Sequence, residues 1–338
     1  MADEFLLLSA KDQFEILSAV APKLKRSPSV LEKDIWVCWV LQNLFAMPKH
    51  LPMAFKGGTA LSKVYNVIKR FSEDIDITLD YRGFSKEISD DISKTAIKKL
   101  SEELKQFVAD HSKNIVKPYF ETRFSEQFAR HKAKVELSED GEKLRIHYPS
   151  VFATSPERYL APNVLIEFGG RNITEPNEQH IVSPYLAALL PDLKFPEAKI
   201  TVLALPRSFW EKATLIHVEC NRKEPRLNAE RLSRHWYDIA CLSTHERSKE
   251  AIADSELLAD VIKYKKLFYN SAYANYDACL KSAFRLVPGD ILLKALEQDF
   301  EQMLLSGMFY DEQPVFSEVV ESVISLEQLI NSSSMLNK

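Results

Sequence analysis

The sequence predicts an α+β fold: a small mixed sheet flanked by helices, followed by a mostly helical C-terminal region. Two observations carry this. Short segments with period-two or uniformly apolar patterning ("DIDITLD", "NVLIEFGG", "KITVLAL") stand among long stretches with apolar residues every three or four positions. Glycine, with 8 occurrences in the chain, all but vanishes beyond Pro206, where the apolar spacing is helical.

Residues 9–48 read as helices, with Val30, Ile35, Val37, Leu41 and Leu44 at mixed three- and four-residue spacing and Ser27 or Ser29 as a cap. A short strand at Met53–Phe55 runs into Gly57 and Gly58. Thr59 then opens a helix expected to run about a dozen residues, burying Leu61, Val64, Tyr65 and Ile68 on one face. In "DIDITLD", Asp74, Asp76, Thr78 and Asp80 fall on one strand face and Ile75, Ile77 and Leu79 on the other. Residues 86–130 read as an inserted helical arm, and "KAKVELSEDGEKLRIHYPSV" as a hairpin turning at Asp140-Gly141. The serine-rich end "NSSSMLNK" reads as frayed. The expected division is 1–205, a sheet domain with N-terminal helices and the insertion, and 206–338, a helical domain contributing to the active site.

Composition excludes several classes. With 46% hydrophobic and 27% charged residues the chain reads as globular, and no apolar run is long enough to span a membrane. The acidic N-terminus lacks the basic region of a secretory signal, so the expected location is cytoplasmic. Four scattered cysteines form no disulfide or zinc pattern. A net charge of −4 gives no general attraction to nucleic acid, leaving residues 199–236, rich in Arg207, Arg222, Lys223, Arg226, Arg231 and Arg234, as the local candidate for an RNA contact or a solvated helix face.

The chemistry-bearing constellation begins at the glycine pair. Residues without side chains let backbone N–H groups approach phosphates closely. Asp74 and Asp76, projecting from one strand face, can share hard cations, since Mg²⁺ prefers one or two carboxylates plus phosphate oxygens. Glu167, in an otherwise apolar strand, is the expected third acid of a two-metal site, with a salt bridge as its alternative reading. Arg70 and Ser72 precede the acids; Arg70 could touch phosphate or RNA, or anchor the loop. Lys56 and Lys63 are basic groups near the expected triphosphate.

Gly-Gly-Thr, a helix, Asp-x-Asp on a strand and a distant strand acid together resemble the DNA polymerase beta type nucleotidyltransferase superfamily. More specifically, "LEKDIWVCWVLQNLF", "FKGGTALSKVY", "RFSEDIDITL", "LALPRSFWEKATLIH" and "RHWYDIA", in this order across residues 31–240, resemble the AbiEii/MenT nucleotidyltransferase toxins. Residues 86–150 and those beyond 245 match no motif. The resemblance implies a nucleotidyltransferase-like sheet, with Gly57, Gly58 and Thr59 gripping phosphate and Asp74 and Asp76 binding magnesium. It also implies that Lys212 contacts the nucleotide phosphates and that Asp238 is a catalytic acid. The implied activity is transfer of a nucleoside monophosphate from an NTP to the 3′ end of tRNA, with growth arrest as the outcome and an antitoxin as partner. Protein nucleotidylation, a metal-dependent nuclease and a noncatalytic binding module are the competing readings.

Overall fold

The computed structural model describes residues 3–85, 88, 92–129, 131, 134–152, 161–224, 226–310 and 313–332. Its strands are β1 (Asp3–Glu4), β2 (Met53–Lys56), β3 (Ile75–Asp80), β4 (Lys134–Leu137), β5 (Lys143–His147), β6 (Asn163–Asn172), β7 (Asn177–Val182), β8 (Leu193–Lys194) and β9 (Ala198–Leu203). Its helices are α1 (Ala10–Leu24), α2 (Pro28–Phe45), α3 (Gly57–Lys63), α4 (Lys94–His111), α5 (Lys117–Gln127), α6 (Leu205–Cys220), α7 (Ser233–Ser243), α8 (Glu246–Ala253), α9 (Ser255–Phe268), α10 (Tyr276–Cys279), α11 (Asp290–Leu305) and α12 (Phe316–Ser332). This is the α+β architecture the patterning predicts. Seven strands form one sheet in the order β4-β5-β6-β3-β2-β9-β7, while β1 and β8 pair separately.

The sheet is mixed because its central strand has unlike neighbours: β3 runs parallel to β6 and antiparallel to β2. In β6 burial alternates strictly, so Val164, Ile166 and Phe168 enter the core while Leu165 and Glu167 stay half-buried. The hairpin at Asp140-Gly141 joins β4 to β5, with Gly141 at φ +71°. Gly141 also lies against α4, where a Cβ would fall 2.4 Å from the Ala109 Cβ.

Within the stretch expected to be an arm, residues 86, 87, 89–91 and 130 lie outside the described set, as does the serine-rich end from 333. The described part is helical but packs inward. Leu104, Val108, Phe120 and Phe124 are buried, and a Cβ on Gly170 of β6 would meet Val108 Cγ2 at 2.5 Å. Its apolar positions are therefore a core face, and α5 adds rings beside Trp36 and Trp39 of α2.

The helix opened by the glycine pair is shorter than its apolar spacing suggests. It ends at Lys63, and Asn66 turns the chain at φ +51°. Tyr65 donates instead to the Leu203 carbonyl at 3.0 Å. Contacts group the chain into two compact units, Met1–Val64 with Ser72–Val202, and Tyr65–Phe71 with Leu203–Lys338. Among the described residues no helix is long and apolar enough to cross a membrane.

Candidate active site

In the first unit, β2 delivers the chain into Gly57 at φ +77°, a left-handed conformation that side chains resist. A Cβ there would fall 1.9 Å from Asp76 Oδ2. The glycine is required twice over, by its backbone angle and by the carboxylate lying against it. The pairing of Lys56 with Asp76 across β2 and β3 sets this approach.

Thr59 is buried, and its hydroxyl donates to Ser72 Oγ at 2.9 Å. That bond ties the start of α3 to the loop carrying Glu73 and Asp74. Thr59, expected on phosphate, is thus joined to Ser72 just ahead of the acids. Lys63, expected near the triphosphate, is turned into the core: its side chain is 2% exposed and its Nζ lies 2.5 Å from Asp34 Oδ1. Burial alone would lower the Lys63 pKa, but Asp34, Cys38 and Tyr185 together outweigh it and the net shift is upward. The Tyr185 ring lies 4.2 Å beneath the ammonium. Lys63 is a core ion-pair residue; its i,i+4 position from Thr59 placed it on the buried side of α3.

Glu167 sits in register beside Asp76 on the neighbouring parallel strand, as a third acid should. Its carboxylate, however, accepts from Lys143 of β5 at 2.6 Å. Among the described residues no three His, Cys, Asp or Glu side chains are grouped to hold a metal. Glu167, half-exposed, is thus engaged by its cross-strand partner Lys143. The remaining pair still suits magnesium chemically, because Mg²⁺ takes one or two carboxylates and completes its shell with water and substrate phosphate. Gly57, without a side chain, lets the Asp76 carboxylate lie directly against the backbone of the glycine pair.

The second unit holds a different cluster. Arg70 is buried and bidentate on Asp238, with Nε to Oδ1 at 2.7 Å and Nη2 to Oδ2 at 2.8 Å. Lys212 of α6 donates to Asp238 Oδ2 at 2.9 Å, and its Nζ lies 3.2 Å from His235 Nδ1 on α7. Burial would raise the Asp238 carboxyl, but Arg70 and Lys212 overcome it and hold the group well below the usual carboxylate range. Burial lowers Lys212, with Asp238 opposing and Arg70 assisting. Burial, reinforced by Lys212, holds His235 well below the ordinary histidine value, so it stays neutral.

Arg70, read as a possible phosphate or RNA contact, is therefore the anchor of Asp238. His235 lay unremarked inside "RHWYDIA"; its one-turn spacing to Asp238 was the available signal. The basic run is also partly neutralised, since Arg222 and Arg226 both bind Glu219, and Arg207 is buried on Asp260.

No curated protein sequence matches the chain. A solved structure similar to it is MenT4, a nucleotidyltransferase toxin from Mycobacterium tuberculosis H37Rv, at 14% identity and a TM-score of 0.47, covering 96% of this chain and 94% of that one. The family described as "Nucleotidyl transferase AbiEii toxin, Type IV TA system" matches residues 39–322, from the middle of α2 into α12. A match of that extent takes in both compact units, and the chain belongs to the AbiEii family of nucleotidyltransferase toxins.

Proposed function

We propose that this chain transfers a nucleoside monophosphate from an NTP to the 3′ end of an RNA acceptor, tRNA in the first instance, and so blocks translation until a cognate antitoxin intervenes. The acceptor's terminal hydroxyl oxygen bonds to the α-phosphorus, the bond from that phosphorus to pyrophosphate breaks, and the hydroxyl proton is lost. The observation that carries this reading is the contact of Gly57 with Asp76, which puts the phosphate-gripping backbone and an acid in one place.

Asp74 and Asp76 would hold magnesium, which when bound neutralises charge on the transferring phosphates. Asp74 and Asp76 cannot serve alone, because two carboxylates facing a triphosphate would repel it. Gly57 and Gly58 bring backbone N–H groups toward the phosphates. Lys212 has three N–H donors, of which Asp238 and His235 accept two. By the family resemblance, Lys212 would serve a nucleotide phosphate. Arg70 keeps Asp238 ionised and thereby keeps Lys212 oriented.

Transfer to a protein hydroxyl is the second reading, favoured by Glu219 neutralising Arg222 and Arg226 in the expected RNA-binding run. Incubating the protein with each labelled NTP, magnesium and either total RNA or total protein separates the two. We expect label in RNA, and none with Asp76→Ala. Label confined to protein would overturn the RNA acceptor, and undiminished transfer by Asp76→Ala would overturn the metal-acid assignment.

A further inference from the structure

Helix α2 carries Glu32, Lys33 and Asp34 in succession, and all three are buried in a helix whose inner residues are otherwise mainly apolar. Adjacent residues on a helix point in directions about 100° apart, so each meets a different segment. Glu32 accepts from Ser150 Oγ at 2.6 Å and from the Val151 amide at 2.7 Å. Lys33 donates to the Ala161 carbonyl at 3.2 Å and forms an ion pair with Glu73. Asp34 accepts from Lys63 and from the Tyr185 amide, the latter at 2.7 Å.

Two of these ties reach the candidate site at different segments. Lys63 is the last residue of α3, whose first residues are Gly57 and Gly58. Glu73 is the immediate neighbour of Asp74. One turn of α2 therefore fastens both the glycine helix and the segment leading into the acids. Stability does not account for this arrangement, because replacing a buried ion pair with apolar residues is often neutral or stabilising. A side chain that fixes a ligand from behind, by contrast, does need a specific charged partner.

We propose that Lys33 and Asp34 are positioning residues that hold α3 and the Glu73–Asp74 segment in one frame, so that the glycine pair and the two acids keep their spacing when a metal–nucleotide complex binds. This rests on the nucleotidyltransferase reading. The probe is Mn²⁺, its binding followed by electron paramagnetic resonance in the presence of a non-hydrolysable NTP analogue, with melting temperature measured in parallel. The intact protein binds Mn²⁺, and Asp76→Ala does not.

Lys33→Met weakens Mn²⁺ binding about 10- to 100-fold and lowers the melting temperature, because Glu73 is left without its countercharge. In Lys33→Met combined with Glu73→Gln the orphaned charge is gone, so the melting temperature recovers while Mn²⁺ binding stays weak. Asp34→Leu with Lys63→Met should weaken affinity for the analogue in the same way. Wild-type Mn²⁺ affinity in the Lys33→Met, Glu73→Gln double variant would reduce the ties to ordinary core pairs and overturn the inference. Should Lys33→Met fail to fold, the double variant alone decides. An intact protein that binds neither Mn²⁺ nor the analogue overturns the nucleotidyltransferase reading, and this inference with it.

Discussion

Gly57 is the residue at which geometry and chemistry meet most closely. Alanine there would have to hold φ near +77° and place its methyl within 1.9 Å of Asp76 Oδ2. The backbone cost alone is about 1 kcal/mol or more, and the carboxylate must also move. Gly57→Ala should lower the melting temperature modestly and abolish transfer; a fully active variant would separate the glycine from the acid's function. At His235 the expected effect is one of pH. Burial and Lys212 depress its pKa, so the folded chain stays unprotonated there while the unfolded chain takes up a proton below about pH 6.5. Stability contributed by His235 is present above that value and is lost as pH falls below it. Lys212, Asp238, Arg234 and Arg70 are the charges that bear on it. Unfolding midpoints at pH 7.5 and 5.5 should draw apart less in His235→Asn than in the unaltered protein; equal separations would show that His235 already titrates freely.

Among the elements, α2 is buried along most of its length. Its Trp36 stacks on Tyr148 at 5.1 Å with a 10° interplanar angle and meets Trp39, Phe124 and Phe128 as well. Trp36→Ala should destabilise the first unit by about 3–5 kcal/mol, measurable by denaturant titration. A loss below 1 kcal/mol would mean that the ring cluster closes over the gap. The strands around the site were legible in the sequence because period two survives wherever one sheet face is less buried than the other. In β3 only Asp76 stays half-buried, between the buried Ile75 and Ile77, while Thr78 and Asp80 are buried; in β6 Glu167 stood out against apolar neighbours. What that pattern could not show was the cross-strand lysine: Lys143 is far from Glu167 in sequence, and only the register of β5 on β6 joins them. Lys63 was misread for the opposite reason. A lysine one turn beyond a phosphate-gripping motif looks like a ligand until Asp34 is placed under it, and three consecutive charges inside "VLEKDIWVCWVL" were the overlooked sign of inward-facing ion pairs. Arg70 and Asp238 are likewise distant in sequence, and only the fold brings them together.

At the scale of the whole molecule, the heptapeptide Tyr65–Phe71 belongs to the second compact unit although both its flanks belong to the first. Its Arg70 bonds Asp238, its Phe71 amide donates to the Met308 carbonyl at 2.6 Å, and the Lys69 amide donates to the Tyr237 hydroxyl at 3.2 Å. A fragment starting at residue 203 would carry α6 through α12 yet leave the fully buried Asp238 facing Lys212 without its guanidinium. Such a fragment should express as an unstable or aggregated chain, and supplying a peptide spanning residues 60–75 should increase its soluble yield; a stable, monomeric fragment with a sharp melting transition would refute this. The two units are consequently not interchangeable cassettes. A recombination event that swapped the C-terminal half between relatives would inherit Asp238 from one parent and its counterion from the other. Gene exchange within such a lineage therefore succeeds only between parents that agree at Arg70, or when the crossover lies upstream of the heptapeptide.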